Sequence, residues 1–210
     1  MKRFLQIFCA SLLLSMLCSG QVRAQVDAVF IGNSITRLWN TYHGASFLTP
    51  NGYLGKGIDG QVTAQMLGRF GTDVINNKPK VVVIMAGIND IAQNQGYIAI
   101  EQILENIATM TTRAKEAGIK PILCTTLPAS GFGWTTKVPE PAPIVRTLNT
   151  LIEQYAREND ITFVDYYSAF VNTIGGMNTA FCSDRVHPLE PGYELLEQII
   201  QPYLIDELKK

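Results

Sequence analysis

Histidine is nearly absent from this 210-residue chain, which carries only His43 and His187. A neutral-pH general base other than a perturbed carboxylate must therefore be one of these two side chains. Cysteine is also scarce, at four residues, with no metal-ligand spacing among the cysteines and histidines, which excludes a structural zinc site. The apolar run near the start, residues 4–18, is shorter than the roughly 20 residues a spanning helix needs. No cluster of basic residues interrupts the chain, which speaks against nucleic acid or an anionic membrane surface as partner.

That early apolar run has a specific setting. Lys2 and Arg3 precede it, polar Ser19-Gly20-Gln21 follows, and Val22-Arg23-Ala24 carries small residues where signal peptidase needs them. The order predicts a secretory signal peptide over 1–24, cut after Ala24, and export to the periplasm or the outside of the cell without a stable membrane anchor. Without those residues, 14 basic side chains face 18 acidic ones, a net charge of about −4. Only Cys124 and Cys182 then remain, and Cys124 lies in the apolar run 121–127. An oxidising compartment permits a disulfide between them, but the apolar surroundings favour a buried, unpaired thiol.

Residues 25–210 are of a length suited to one well-buried domain. Short apolar runs alternate with helical patterns. Strands are predicted over 27–31, 53–58, 80–86, 120–126 and 161–164, the clearest being the β-branched run Lys80-Val81-Val82-Val83-Ile84. Between them, Ile103, Leu104, Ile107, Met110 and Ala114 share a helical face, as do Leu148, Leu151, Ile152 and Tyr155. A last helix follows Pro191, with Leu195, Leu196, Ile199, Ile200, Tyr203 and Leu204 towards the core. This alternation implies right-handed crossovers and an α/β fold: a five-stranded parallel sheet covered on both faces.

In such sheets ligands gather beyond the carboxyl ends of the strands. After the first strand stands Gly32-Asn33-Ser34, where Ser34 is either a nucleophile at a sharp turn or the cap of the next helix. Gly60 follows the second strand, and Asn89 and Asp90 follow the third; the Gly60 N–H and the Asn89 amide can donate to an oxyanion, or Gly60 only shapes a turn and Asn89 and Asp90 only cap the next helix. Near the end, Asp184 and His187 are three residues apart on a turn closed by Pro188. That spacing lets the carboxylate orient one ring nitrogen while the other faces a nucleophile, although an Asp–His pair can also merely cap the final helix.

Together the blocks Gly32–Ile35 (G-N-S-I), Gly57–Gln61 (G-I-D-G-Q), Gly87–Asp90 (G-I-N-D) and Asp184–Pro188 (D-R-V-H-P) resemble the SGNH, or GDSL-like, hydrolases, in order and at compatible separations. The resemblance implies a flavodoxin-like three-layer α/β/α sandwich and a serine esterase. Ser34 would be the nucleophile, Asp184 and His187 its triad partners, and the Ser34 N–H, Gly60 and Asn89 the oxyanion hole. It implies no metal and no organic cofactor. One departure stands out: Asn33 occupies the place of the aspartate in the usual G-D-S block, keeping its reach but not its charge.

Substrate recognition is sought among the aromatic residues near these blocks. Trp39, Tyr42 and His43 follow the nucleophile, and Phe132 and Trp134 lie in the loop 127–139. Trp39 and Trp134 are the candidate substrate-binding rings, suited to a sugar or a short acyl or aryl group; Trp39 also fits a packing role, and His43 a rim or surface position. No long apolar lid segment is present, so the expected substrate is a short-chain, chiefly O-acetyl, ester on carbohydrate. A lysophospholipase, thioesterase or platelet-activating-factor-acetylhydrolase-like activity is the nearest rival, and a non-catalytic carbohydrate-binding protein is the rival of another class. A flavin or phosphate binder is disfavoured because Gly32 to Arg37 makes a poor phosphate loop.

Overall fold

The computed structural model describes residues 25–210, so the leader expected at 1–24 lies outside the described residues. Strand β1 (Ala28–Gly32) is followed by helix α1 (Ser34–His43), a short irregular helical stretch, and β2 (Tyr53–Gly57). Then come α2 (Thr63–Asp73), β3 (Val81–Ile84), the short α3 (Ile88–Ile91), α4 (Ile100–Glu116) and β4 (Lys120–Cys124). The chain finishes with α5 (Pro141–Glu158), β5 (Thr162–Val164), the single turn α6 (Tyr167–Phe170) and α7 (Glu190–Lys209).

All five strands pair in parallel, in the order β2-β1-β3-β4-β5. This is the flavodoxin-like order, whose crevice opens where the strand sequence reverses, between β1 and β3. Helix α1 packs with α7, while α2 packs with α4 and α4 with α5, giving two helical layers around the sheet. The central strands β1 and β3 are buried throughout, as continuous apolar runs in a covered parallel sheet must be. Strands β2, β3 and β4 end one or two residues earlier than the sequence pattern suggests, where the chain leaves the sheet to form a loop above it, whereas β1 runs one residue further and β5 ends at Val164 as expected.

Core packing explains the helix faces. Ile103, Ile107, Met110 and Ala114 of α4, and Val145, Leu148 and Ile152 of α5, are all at most 2% exposed. Burying each aliphatic side chain of this kind stabilises the fold by about 1.5–3 kcal/mol. Tyr203, expected on the core side of α7, is instead 40% exposed. Around β1, Phe30, Trp39, Phe47 and Tyr53 form an aromatic cluster, Phe30 meeting Trp39 edge-on at 5.1 Å and Trp39 stacking on Phe47 at 6.0 Å.

Gly32 shows why the turn after β1 needs a glycine. A Cβ there would stand 2.0 Å from the Thr36 hydroxyl oxygen and 3.0 Å from the Met85 carbonyl. The absence of a side chain lets α1 start hard against the sheet, at the mouth of the β1–β3 crevice. Cys124 and Cys182 are both buried and unpaired, as the apolar setting of Cys124 suggested. Among the described residues, no helix is long and apolar enough to cross a membrane.

Candidate active site

Three groups from opposite ends of the chain meet over the crevice. The Ser34 hydroxyl oxygen lies 2.8 Å from His187 Nε2, and His187 Nδ1 lies 2.6 Å from Asp184 Oδ2. Asp184 Oδ1 also accepts the backbone N–H groups of Val186, at 3.0 Å, and His187, at 2.7 Å. Burial alone would raise the Asp184 carboxyl. The hydrogen bonds from the His187 N–H, the His187 ring and the Val186 N–H overcome it and bring the carboxyl down to about 2. An ionised carboxylate on Nδ1 leaves the Nε2 lone pair facing Ser34, the arrangement in which imidazole can take a hydroxyl proton.

The turn that carries Asp184 and His187 is held in an unusual conformation. Arg185 between them has φ +74°, in the left-handed region that an L side chain adopts at a cost of about 1–2 kcal/mol. Cys182 and Pro188 pair across the base of the turn and close it. Local strain is thus retained where the Asp184 and His187 side chains must face one another.

Ser34 is the first residue of α1, but it is not the cap. Asn33 fills that role, its Oδ1 accepting the Ile35 N–H at 3.0 Å while its carbonyl accepts Arg37 N–H at 3.0 Å. The Ser34 N–H is then a free donor of the first turn, at the positive end of the helix dipole. Asn33 is 2% exposed, and its capping bond needs only an oxygen. The amide supplies that oxygen without burying a charge, which accounts for the missing aspartate.

Gly60 and Asn89 line the same cavity as Ser34 and His187, a cleft of about 510 Å³ open to solvent. Gly60 has φ +70°, and the Gln61 N–H closes the turn onto the Ile58 carbonyl at 3.4 Å. The segment after β3 clamps this turn at three points. Asn89 Nδ2 donates to the Gln61 carbonyl at 3.0 Å, and Asn94 Nδ2 to the Gly60 carbonyl at 3.1 Å. The Asp90 carboxylate accepts both the N–H and the hydroxyl of Thr63, the latter at 2.6 Å. Asp90 therefore caps α2 rather than its own helix. Burial pushes its carboxyl up to about 6 although the Thr63 bonds oppose the shift.

The two candidate tryptophans part company. Trp39 is 1% exposed, inside the aromatic cluster, with its indole N–H on Glu197 at 2.8 Å; it is a packing residue and not a substrate contact. The reason is register on α1, where Ile35, Thr36, Trp39 and His43 all turn inward. His43 is correspondingly not on the rim but 9% exposed, its Nδ1 2.7 Å from the same Glu197 carboxylate. Trp134, by contrast, is 46% exposed and lines the cleft, its ring centre 6.2 Å from that of His187. Phe132 is buried beneath it, ring centres 5.1 Å apart.

Other lining residues lay outside the sequence reading. Arg37 and Asp59 form an exposed ion pair at 2.5 Å on the rim, and Asn94 accepts the Trp134 indole N–H at 2.8 Å. Their positions just after the Gly32 and Gly87 blocks, and within the Gly57 block, were the available signal. Among the described residues, no group of three His, Cys, Asp or Glu side chains is placed to hold a metal ion.

The model of the GDSL-like lipase/acylhydrolase family matches residues 30–195. A solved structure from Bacteroides fragilis, described as an acylhydrolase, has a TM-score of 0.86 and 42% identity, covering 89% of each chain. A lipoprotein of Bacillus subtilis, YqeF, is 30% identical over 143 residues, 60% of this chain and 59% of its own length. An acetylxylan esterase of Geobacillus stearothermophilus is 28% identical over 152 residues, 67% of this chain and 66% of its own. The chain thus spans less than two thirds of the length of these curated relatives.

Proposed function

The chain belongs to the GDSL-like lipase/acylhydrolase family, and from that premise we propose that it is an exported serine esterase removing short acyl groups, chiefly acetyl, from carbohydrate. One observation carries the reading: an unbroken line of hydrogen bonds from Asp184 through His187 to Ser34, ending in a cleft that Gly60 and Asn89 also line.

In this reading Ser34 Oγ attacks the ester carbonyl while His187 Nε2 takes its proton. The carbonyl oxygen becomes an oxyanion, met by the Ser34 N–H, the Gly60 N–H and the second hydrogen of the Asn89 amide, whose first is spent on Gln61. The imidazolium, stabilised by Asp184, returns the proton to the departing alcohol. Water then attacks the acyl-Ser34 ester with His187 again as base, releasing the acid.

The cleft favours carbohydrate over lipid as the alcohol. Its rim is polar, with Arg37, Asp59 and Asn94, and its exposed ring is the Trp134 indole, a flat face suited to a sugar. The acetylxylan esterase relative is consistent with this choice. Export rests on the leader pattern at 1–24, and sequencing the secreted protein from its first residue tests it, Gln25 being expected.

Acetate release from acetylated sugars, together with a nitrophenyl ester series, tests the reaction. Acetyl turnover well above octanoyl supports the substrate class, and the reverse points to the lysophospholipase or thioesterase alternative. Wild-type rates in Ser34→Ala would remove Ser34 from its role. Failure of a fluorophosphonate to label Ser34, with no ester hydrolysed, would instead favour a non-catalytic sugar-binding protein.

A further inference from the structure

Beside the catalytic cleft lies a second cavity, of about 500 Å³, that shares Asp59, Gly60, Asn94 and Trp134 with it. The Asn94–Trp134 hydrogen bond forms the wall between the two. The orientation of that amide is determined by its partners: Nδ2 meets the Gly60 carbonyl and Oδ1 meets the indole N–H, and a flip would set donor against donor. The wall is therefore a fixed part of the site, and the indole borders both spaces.

The second cavity is rich in amides. Gln61, Gln65 and Gln95 line it with Asn94. The oxygens of Gln61 and Gln65 are already engaged, by the Arg69 guanidinium at 2.6 Å and the Val62 N–H at 3.1 Å. Their –NH₂ groups remain as donors, and the exposed Gln95 amide can both donate and accept. The one ionised side chain in its lining, Asp59, is paired with Arg37. Neutral donors and acceptors beside an indole suit a neutral polyhydroxyl ligand better than an anion or a cation.

We propose that this cavity is a second sugar subsite, so that the substrate is an oligosaccharide lying across the Asn94–Trp134 wall with its acetylated unit over Ser34. The proposal rests on the esterase reading for the position of the acetyl group, while sugar binding in the second cavity does not require catalysis. A single acetylated sugar would fill only the cleft. A longer chain would also use the amides, and the added contacts would appear as a preference for length.

Two measurements test this on the purified protein. The first is kcat/KM for acetylated xylotetraose relative to acetylated xylose, in wild type, Gln95→Ala and Gln65→Ala/Gln95→Ala. The wild type is expected to prefer the tetraose, and the preference is expected to fall about three- to tenfold per lost amide contact. The second is calorimetric binding of unacetylated xylotetraose, expected to weaken in the same variants by similar factors. The Gln95 side chain is exposed and makes no hydrogen bond among the described residues, so its replacement reports on ligand contact rather than on folding. Absence of a length preference in wild type, or its survival in the double variant, overturns the subsite. If no ester is hydrolysed yet tetraose binding depends on Gln95, the esterase reading fails and the subsite stands.

Discussion

Asp184 grips His187 at two places, its Oδ2 on the ring Nδ1 at 2.6 Å and its Oδ1 on the backbone N–H at 2.7 Å. The carboxylate thus fixes both where the imidazole stands and which nitrogen carries the proton. Asp184→Asn keeps an oxygen for one contact but must present an amide N–H or lose a bond at the other. We expect kcat on acetyl esters to fall by roughly 10³- to 10⁴-fold with KM little changed, measured by steady-state kinetics. A loss below tenfold would mean that Asp184 does not orient His187 in the reaction.

Gly60 offers a separate test of the turn opposite Ser34. A Cβ at this position meets only Asn94 Nδ2, at 3.8 Å, so space is not the constraint. The constraint is φ +70°, which alanine adopts at a cost of about 1–2 kcal/mol. Gly60→Ala should lower stability by about that amount in urea unfolding. If the Gly60 N–H meets the oxyanion, any shift of the turn should also lower kcat more than it raises KM.

The two tryptophans should respond in opposite ways. Trp39→Ala removes a ring that is 1% exposed and takes one of two partners from Glu197 Oε1, leaving only His43 on that oxygen. It should cost about 3–5 kcal/mol of stability. Trp134→Ala removes an exposed ring and should leave the thermal midpoint nearly unchanged while raising KM for acetylated sugars. Thermal unfolding and substrate kinetics on the same two variants check both halves.

Asp90 makes the fold respond to pH. The unfolded chain ionises this carboxyl near 3.8 and the folded chain near 6, because burial disfavours the charge. Between those values unfolding releases a proton, so stability falls as pH rises, and above about pH 6 nothing further is lost. The contribution amounts to about 3 kcal/mol. Urea midpoints at pH 4 and pH 7 should therefore differ less in Asp90→Asn than in wild type; an identical pH difference in both would exclude this carboxyl as the source.

Much of the fold is legible in the chain because a covered parallel sheet leaves a strong trace: Val81-Val82-Val83-Ile84 has nowhere to lie except the centre. The site blocks are legible for a related reason, since residues just past each strand must face the crevice. Trp39 and His43 were harder to place. Their direction depends on the rotational register of α1, and a half-buried Glu197 from the distant α7 provides the partner that lets a histidine turn inward. Asp90 looked like the cap of its own helix, and only the packing of α2 beside it reveals Thr63 as its partner. Asn94 belongs to no sequence block, and its importance comes from two contacts 34 and 40 residues away.

The separation of Ser34 from His187 by 153 residues has a further consequence during synthesis. Ser34 leaves the ribosome roughly 8–30 s before His187, at ordinary elongation rates of about 5–20 residues per second. Throughout that interval the growing chain holds Ser34 without the imidazole that meets it in the folded protein. The cleft would thus be complete only once the segment carrying Asp184 and His187 has been made and folded back over the end of the first strand.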